Sequence, residues 1–284
     1  MPSPPVVLRC ADRILDLSRP VVMGVLNVTP DSFSDGGRFL SVAAALEQGM
    51  RMAEEGAALI DVGGESTRPG AEPVSTQEES RRVIPVIERL RAAIAAIISV
   101  DTSNAEVMRA ASAAGAGLIN DVRALRAPGA LEAAAASGCA VCLMHMQGEP
   151  RTMQLAPSYH DVVGEVRAFL RERVAASLAA GVSTERLTVD PGFGFGKTLE
   201  HNLTLLRRLG ELASDGLPVL VGLSRKSMLG TLTNRPPEER LYGSVALAVI
   251  AALNGARIIR AHDVAATVEA LKVAAAVQGA GRAA

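Results

Sequence analysis

Eight short runs rich in Val, Ile and Leu recur along the chain, and helical stretches lie between them. The runs are VVMGVLN (21–27), ALIDVG (58–63), AIISVD (96–101), GLIND (117–121), CAVCLMHM (139–146), LTVDP (187–191), PVLVGLS (218–224) and ARIIRAH (256–262). Clear helical segments cover 42–57, 76–94, 158–180, 237–254 and 263–277, and Gly56, Gly138, Gly181 and Gly255 mark helix ends. Strands that alternate with helices build parallel sheets, because each crossover returns the chain to the same end. Eight such units in a chain of this length fit a closed barrel. The predicted fold is therefore α/β, a single (β/α)8 (TIM) barrel domain over residues 1–284, with its core at about 20–278 and short tails. A doubly wound open sheet is the structural alternative.

Apolar residues make up 49% of the 284, enough for a large core, but aromatics only 2% with no Trp, so aliphatic side chains must fill it. The formal net charge of −1 gives no electrostatic reason to bind nucleic acid or an anionic membrane. Cys10, Cys139 and Cys142 are too few for a disulfide framework and suggest a reducing, cytoplasmic setting. The opening MPSPPVVLRC does not read as a secretory signal, and no run of 18 apolar residues suggests a membrane span.

A polar or ionisable residue sits at or just beyond the C-terminal end of nearly every run: Asn27, Asp61, Asp101, Asn120, Asp190, Lys226, and the pair Arg260 and His262. Parallel strands buried on both faces should be continuously apolar. In barrel enzymes the C-terminal rim of the strands carries the active site. Strand-end solvation or helix capping explains any one of these residues, Asp101 before TSNAEV above all, but explains the whole set poorly.

Two early loops, NVTPDSFSDGGRF (27–39) and GGESTRPGAEPVST (63–76), are longer than a connection needs, and loops of that length commonly bind or cover ligands. The second sets Arg68 between Thr67 and Pro69. PGFGFGKT (191–198) contains GKT, but Pro191 stands where a phosphate-binding loop needs its first Gly. Strand seven ends SRKS, where the spacing of two predicts Ser224 and Lys226 on one face, and Arg260 and His262 share a face in the same way. Phosphate sites in barrels often use these last two loops, so an anion clamp is expected there. Across the mouth, Asp101, Asn120 and Asp190 offer acceptors and an amide suited to the N–H edge of a heterocycle. The combination suggests a planar heterocycle that bears phosphate.

NVTPDSFSDGG, DVGGESTRPGA, SVDTS, INDV, LMHMQG, DPGFGFGK, GLSRKS and IRAHDV, in that order, resemble the motifs of the dihydropteroate synthases, a pterin-binding TIM-barrel family, over about residues 21–263. The resemblance implies condensation of 6-hydroxymethyl-7,8-dihydropterin pyrophosphate with p-aminobenzoate, Mg²⁺ as cofactor, a homodimer and sensitivity to sulfonamides. It implies that Asp101, Asn120, Asp190 and Lys226 hold the pterin, with Met144 and Phe195 lining its pocket and Asp61 beside it. Asn27, Arg68, Arg260 and His262 would bind the pyrophosphate, Asn27 also being the Mg²⁺ ligand. Phe33, Asp35, Thr67, Arg68, Pro69, Lys226 and Ser227 would form the p-aminobenzoate site. Asp35, Arg68, Asp101, Lys226 and His262 would carry the chemistry, in which pyrophosphate leaves as an anion and a cationic pterin methylene is captured by the arylamine. Two other readings share the barrel: a pterin-dependent methyltransferase domain and a non-catalytic pterin-binding paralogue.

Several residues are read as structural. Cys139 and Cys142 lie three apart in one strand, hence on opposite faces, and cannot share a metal. If Met144 faces the pocket, His145 faces the helix layer. His160 and His201 begin helical segments as solvated or capping groups, and Lys197, which could support the DPGF turn, is left unassigned.

Overall fold

The computed structural model describes residues 6–28, 38–65, 74–149 and 152–279. The chain opens with a hairpin, β1 (Val7–Cys10) and β2 (Arg13–Asp16). There follow β3 (Val21–Asn27), α1 (Arg38–Glu54), β4 (Leu59–Gly63), α2 (Thr76–Ala93), β5 (Ile97–Asp101), α3 (Ala105–Ala113), β6 (Leu118–Asp121), α4 (Ala130–Ser137), β7 (Ala140–Met144) and α5 (Val162–Ala179). The last part holds β8 (Leu187–Asp190), α6 (Leu199–Arg207), α7 (Leu209–Ala213), β9 (Leu220–Gly222), α8 (Ser227–Thr233), α9 (Leu241–Leu253), β10 (Ile258–Ala261) and α10 (Val264–Gly279). The strands β3 to β10 form one parallel sheet in the order β8-β7-β6-β5-β4-β3-β10-β9. A parallel bridge from Val189 to Val219 joins β8 to β9 and closes the ring, with the Val189 N–H donating to the Pro218 carbonyl at 3.1 Å. The fold is the expected (β/α)8 barrel, not an open sheet.

The two-residue period of the strands sorts their side chains. Ile60, Val62, Ile98, Val100, Ile119, Val141, Leu143, Val189, Val221 and Ile259 face outward into the core beneath the helices. Met23, Leu59, Ile97, Leu118, Ala140, Cys142, Leu220 and Ile258 form a second core inside the barrel. Two residues further along the same inward columns the apolar character stops: Leu59 leads to Asp61, Ile97 to Ser99 and Asp101, Leu118 to Asn120, and Ile258 to Arg260. The inward columns of the barrel thus run from an apolar base to a polar mouth.

The N-terminal segment differs from expectation. In place of a tail, Leu8, Cys10, Leu15 and Leu17 join the inner core and plug the base of the barrel. Leu8, Cys10 and Leu17 are fully buried. The other end is where helices begin, with caps on Ser75, Asn104, Asp161 and Thr198; His201 completes a reciprocal capping box with Thr198. Cys139 and Cys142 lie in different cores, as their spacing requires.

Candidate active site

Asp61 is the centre of the mouth. It is fully buried, and its carboxylate accepts from Ser99 Oγ (2.5 Å), Asn120 Nδ2 (3.0 Å) and Arg260 Nε (2.6 Å). Arg260 reaches on to Asp101 Oδ2 with Nη2 at 3.0 Å. One guanidinium therefore bridges two carboxylates, the forked geometry that Lys does not offer. Burial raises the Asp101 pKa to about 7; the Asp61 charge adds to the rise and Arg260 opposes it. For Arg260 itself, burial works against the charge, yet the two carboxylates prevail and its pKa is raised. Neither Arg260 nor Lys226 pairs with Asp263 or Glu238 among the described residues; Asp263 instead takes Arg225 at 2.5 Å.

Asp190 ends β8, its carboxylate accepting the Gly192 N–H at 2.7 Å, and burial raises its pKa against the pull of Lys226. Lys226 sits with Nζ 4.5 Å from the centre of the Phe195 ring, close enough for a cation–π contact, and donates to the Phe193 carbonyl. Burial lowers its pKa to about 8. Met144 and Phe195 are joined by Val122, Met146 and Met153 in a small apolar cluster that walls this side of the mouth. Those last three escaped the sequence reading, although Met146 lies in phase with Met144 and could have been found by the same period of two.

The expected pairing of Ser224 with Lys226 on one strand face is corrected. β9 stops at Gly222, and Arg225 has φ 59, so the chain has turned before Lys226. Ser224 goes to His262, with Oγ 3.0 Å from Nδ1, while Lys226 turns across to the 191–197 loop. Ser227 begins α8 and is exposed. Asn27 ends β3 one strand away from Asp101, with Gly63 between them in register. A Cβ built at Gly63 would lie 3.8 Å from both Asn27 Oδ1 and Asp101 Oδ2, so glycine leaves two oxygens flanking an open spot. Among the described residues no group of three His, Cys, Asp or Glu is gathered for a metal. Hard oxygen donors in small number suit a Mg²⁺ that takes its other ligands from phosphate and water.

Phe33, Asp35, Thr67, Arg68 and Pro69 lie outside the described residues. His145 faces the helix layer, its ring edge-on to Phe169 of α5 at 4.9 Å. Lys197 is 3% exposed and points into its own loop, so GKT does not present a cation to phosphate.

The arrangement joins buried carboxylates, an amide and two cations at an apolar-walled mouth, which is chemistry for a flat polar heterocycle. Residues 23–262 match the pterin binding enzyme family. The dihydropteroate synthase of Escherichia coli K12 is 58% identical over 259 residues, spanning 91% of this chain and 92% of the relative. The solved Xanthomonas albilineans dihydropteroate synthase with 4-aminobenzoic acid superposes with a TM-score of 0.92 at 58% identity, covering 96% of this chain and 98% of that one. The Yersinia pestis enzyme solved in a sulfonamide drug complex gives 0.92 at 55%, covering 96% and 99%. The chain belongs to the pterin-binding enzyme family and, within it, to the dihydropteroate synthases.

Proposed function

We propose that this barrel mouth binds the two substrates of dihydropteroate synthase through the residues that follow, within one domain. The enzyme is a transferase of folate biosynthesis: it condenses 6-hydroxymethyl-7,8-dihydropterin pyrophosphate with p-aminobenzoate and releases 7,8-dihydropteroate and pyrophosphate. The observation that carries the assignment of roles is the buried Asp61–Asn120–Arg260–Asp101 network beside the Phe195–Met144 wall. Asp101 and Asp190 accept N–H groups from the pterin, Asn120 contributes its amide, and Lys226 donates to the ring carbonyl. Asp61 holds Asn120 and Arg260 in place. Met144 and Phe195 cover the ring faces.

Pyrophosphate is a poor leaving group until its charge is neutralised. Arg260 and His262 at the mouth, with Arg68 from the second loop, supply that neutralisation. Asn27 at the end of β3 would hold Mg²⁺, which would add positive charge at the departing pyrophosphate. Asp101 and Asp35 face the cationic methylene as it develops. Phe33, Asp35, Thr67, Arg68 and Pro69 complete the p-aminobenzoate site with Ser227 and Lys226. No nucleophilic side chain is needed, since the arylamine attacks directly.

Two features support a homodimer. α9 (LYGSVALAVIAAL) has no charged residue, and with α10 it leaves Tyr242, Ile250, Leu253, Val273 and Val277 exposed. A second copy of the chain would cover these side chains. Among the described residues no helix is long and apolar enough to cross a membrane, and the three cysteines are free thiols. Both observations support work in the cytoplasm.

The assay is pyrophosphate release from the dihydropterin pyrophosphate with Mg²⁺, with and without p-aminobenzoate. Release that depends on p-aminobenzoate, yields dihydropteroate and is blocked by a sulfonamide is the expected result. Tight pterin binding without release would reject the catalytic roles.

A further inference from the structure

Lys197 is a buried amine that the reaction above does not use; burial lowers its pKa to about 7, while the Asp190 carboxylate favours its charged form. Its Nζ lies 3.0 Å from the Gly192 carbonyl, 3.0 Å from the Phe195 carbonyl and 2.9 Å from His145 Nδ1. An ammonium has three N–H bonds, and these three acceptors match them all. Burying a charge is unfavourable unless its bonds are met inside, and a turn alone does not require one. Burial lowers the His145 pKa to about 3, so at neutral pH the imidazole is an acceptor.

What Lys197 grips is the seat of Lys226. The 191–197 segment alternates left-handed glycines, Gly192 (φ 68), Gly194 (φ 79) and Gly196 (φ 61), with residues of negative φ. A Cβ at Gly192 would collide with the His145 carbonyl, and one at Gly196 with the Gln147 carbonyl. Phe193 is driven into the core under the helices while Phe195 joins the pocket wall. The Phe193 carbonyl and the Phe195 ring are the two groups that hold the Lys226 ammonium. The Gly192 N–H holds Asp190. Three further ties run to the same loop: Tyr159 Oη donates to the Gly196 carbonyl at 2.8 Å, Asn202 Oδ1 accepts the Gly194 N–H at 2.8 Å, and Gln154 Nε2 donates to the Gly194 carbonyl.

We propose that Lys197, seated on His145, is a positioning residue: by gripping the carbonyls of Gly192 and Phe195 it aims Lys226, Phe195 and Asp190 at the pterin ring. This rests on the pterin-binding reading above. Lys197 touches no substrate; its influence reaches the pterin through Lys226, Phe195 and Asp190, and p-aminobenzoate through Lys226 alone.

The test compares wild type, Lys197→Met and Tyr159→Phe. Methionine keeps the buried stem and removes the three donors; the Tyr159 change loosens the same loop by one bond. Calorimetry gives the Kd of oxidised 6-hydroxymethylpterin, and steady-state kinetics give KM for each substrate. The expected result for Lys197→Met is a pterin Kd at least tenfold weaker, a parallel rise in KM for dihydropterin pyrophosphate, and a clearly smaller rise, no more than about threefold, in KM for p-aminobenzoate, which Lys226 alone transmits. Tyr159→Phe should shift pterin Kd the same way by two- to fivefold. A folded Lys197→Met protein with pterin Kd within twofold of wild type, or with both KM values raised alike, overturns the proposal. Should Lys197→Met not fold, unchanged pterin affinity in Tyr159→Phe overturns it. Wild type that binds no pterin brings down the reading beneath it as well, whereas wild-type binding with an indifferent loop brings down this inference alone.

Discussion

Replacing Asp101 by Asn should make the protein more resistant to high pH while abolishing its use of the pterin. Asp101 carries a pKa of about 7 in the folded state against 3.8 as the ordinary value, because burial and the Asp61 charge outweigh the help from Arg260. Between those two pH values the folded state keeps a proton that the unfolded chain has released, so stability falls as pH rises across that window. Each pH unit is worth about 1.4 kcal/mol, giving about 4 kcal/mol once the group is fully ionised. Between pH 5.5 and 8.5 the remaining loss is about 2 kcal/mol. Asn resembles the protonated acid and lacks this dependence. Thermal melts of wild type and Asp101→Asn at the two pH values should therefore diverge, the variant gaining about 3 °C on wild type between pH 5.5 and pH 8.5. The same ionisation has the opposite value for function. A carboxylate that must accept N–H groups is useful only when charged, so kcat/KM for the pterin substrate should rise through about 7 and decline above about 8 as Lys226 loses its proton. If the variant shows the wild-type pH slope in its melts, Arg260 offsets burial and the account of Asp101 is wrong.

Three other variants probe different parts of the molecule. Arg260→Met leaves Asp61, fully buried, without its cation; a loss of about 3–5 kcal/mol is expected in urea unfolding, and less than about 1 would refute the network. Leu8→Ala hollows the plug at the base and should lower stability by about 2–5 kcal/mol. It should leave kcat and both KM values within twofold, because the chemistry sits at the opposite end; altered kinetics would contradict that separation. Ile250→Glu combined with Val277→Glu places charge on the α9–α10 face and should turn a dimer into a monomer in sedimentation velocity, whereas an unchanged sedimentation coefficient would exclude that face as the interface.

The sequence carries the barrel and its mouth on one physical signal, the period of two in a strand buried on both faces. Asp61, Asn120 and Arg260 stand out because each interrupts an inward column that is otherwise apolar, Asp101 and Asp190 follow the buried hydroxyls of Ser99 and Thr188 in theirs, and the fold brings all five to one end of the barrel. The pairing among them was not legible: that Arg260 bridges Asp61 and Asp101 follows from closing β10 onto β3, a contact across some two hundred residues. The plug was missed for a local reason. Its strands are four residues long and turn through Ala11 at φ 53, a left-handed position that Gly or Asn usually announces. Lys226 was misread because Arg225, also left-handed, ends the strand phase two residues earlier than its composition suggests. Lys197 is the instructive case. Its type suggested phosphate, Pro191 argued against it, and only the converging carbonyls of Gly192 and Phe195 give the charge a purpose. Strand periodicity tells which residues look into the mouth, but a residue that acts on those from behind the loop has no period to betray it.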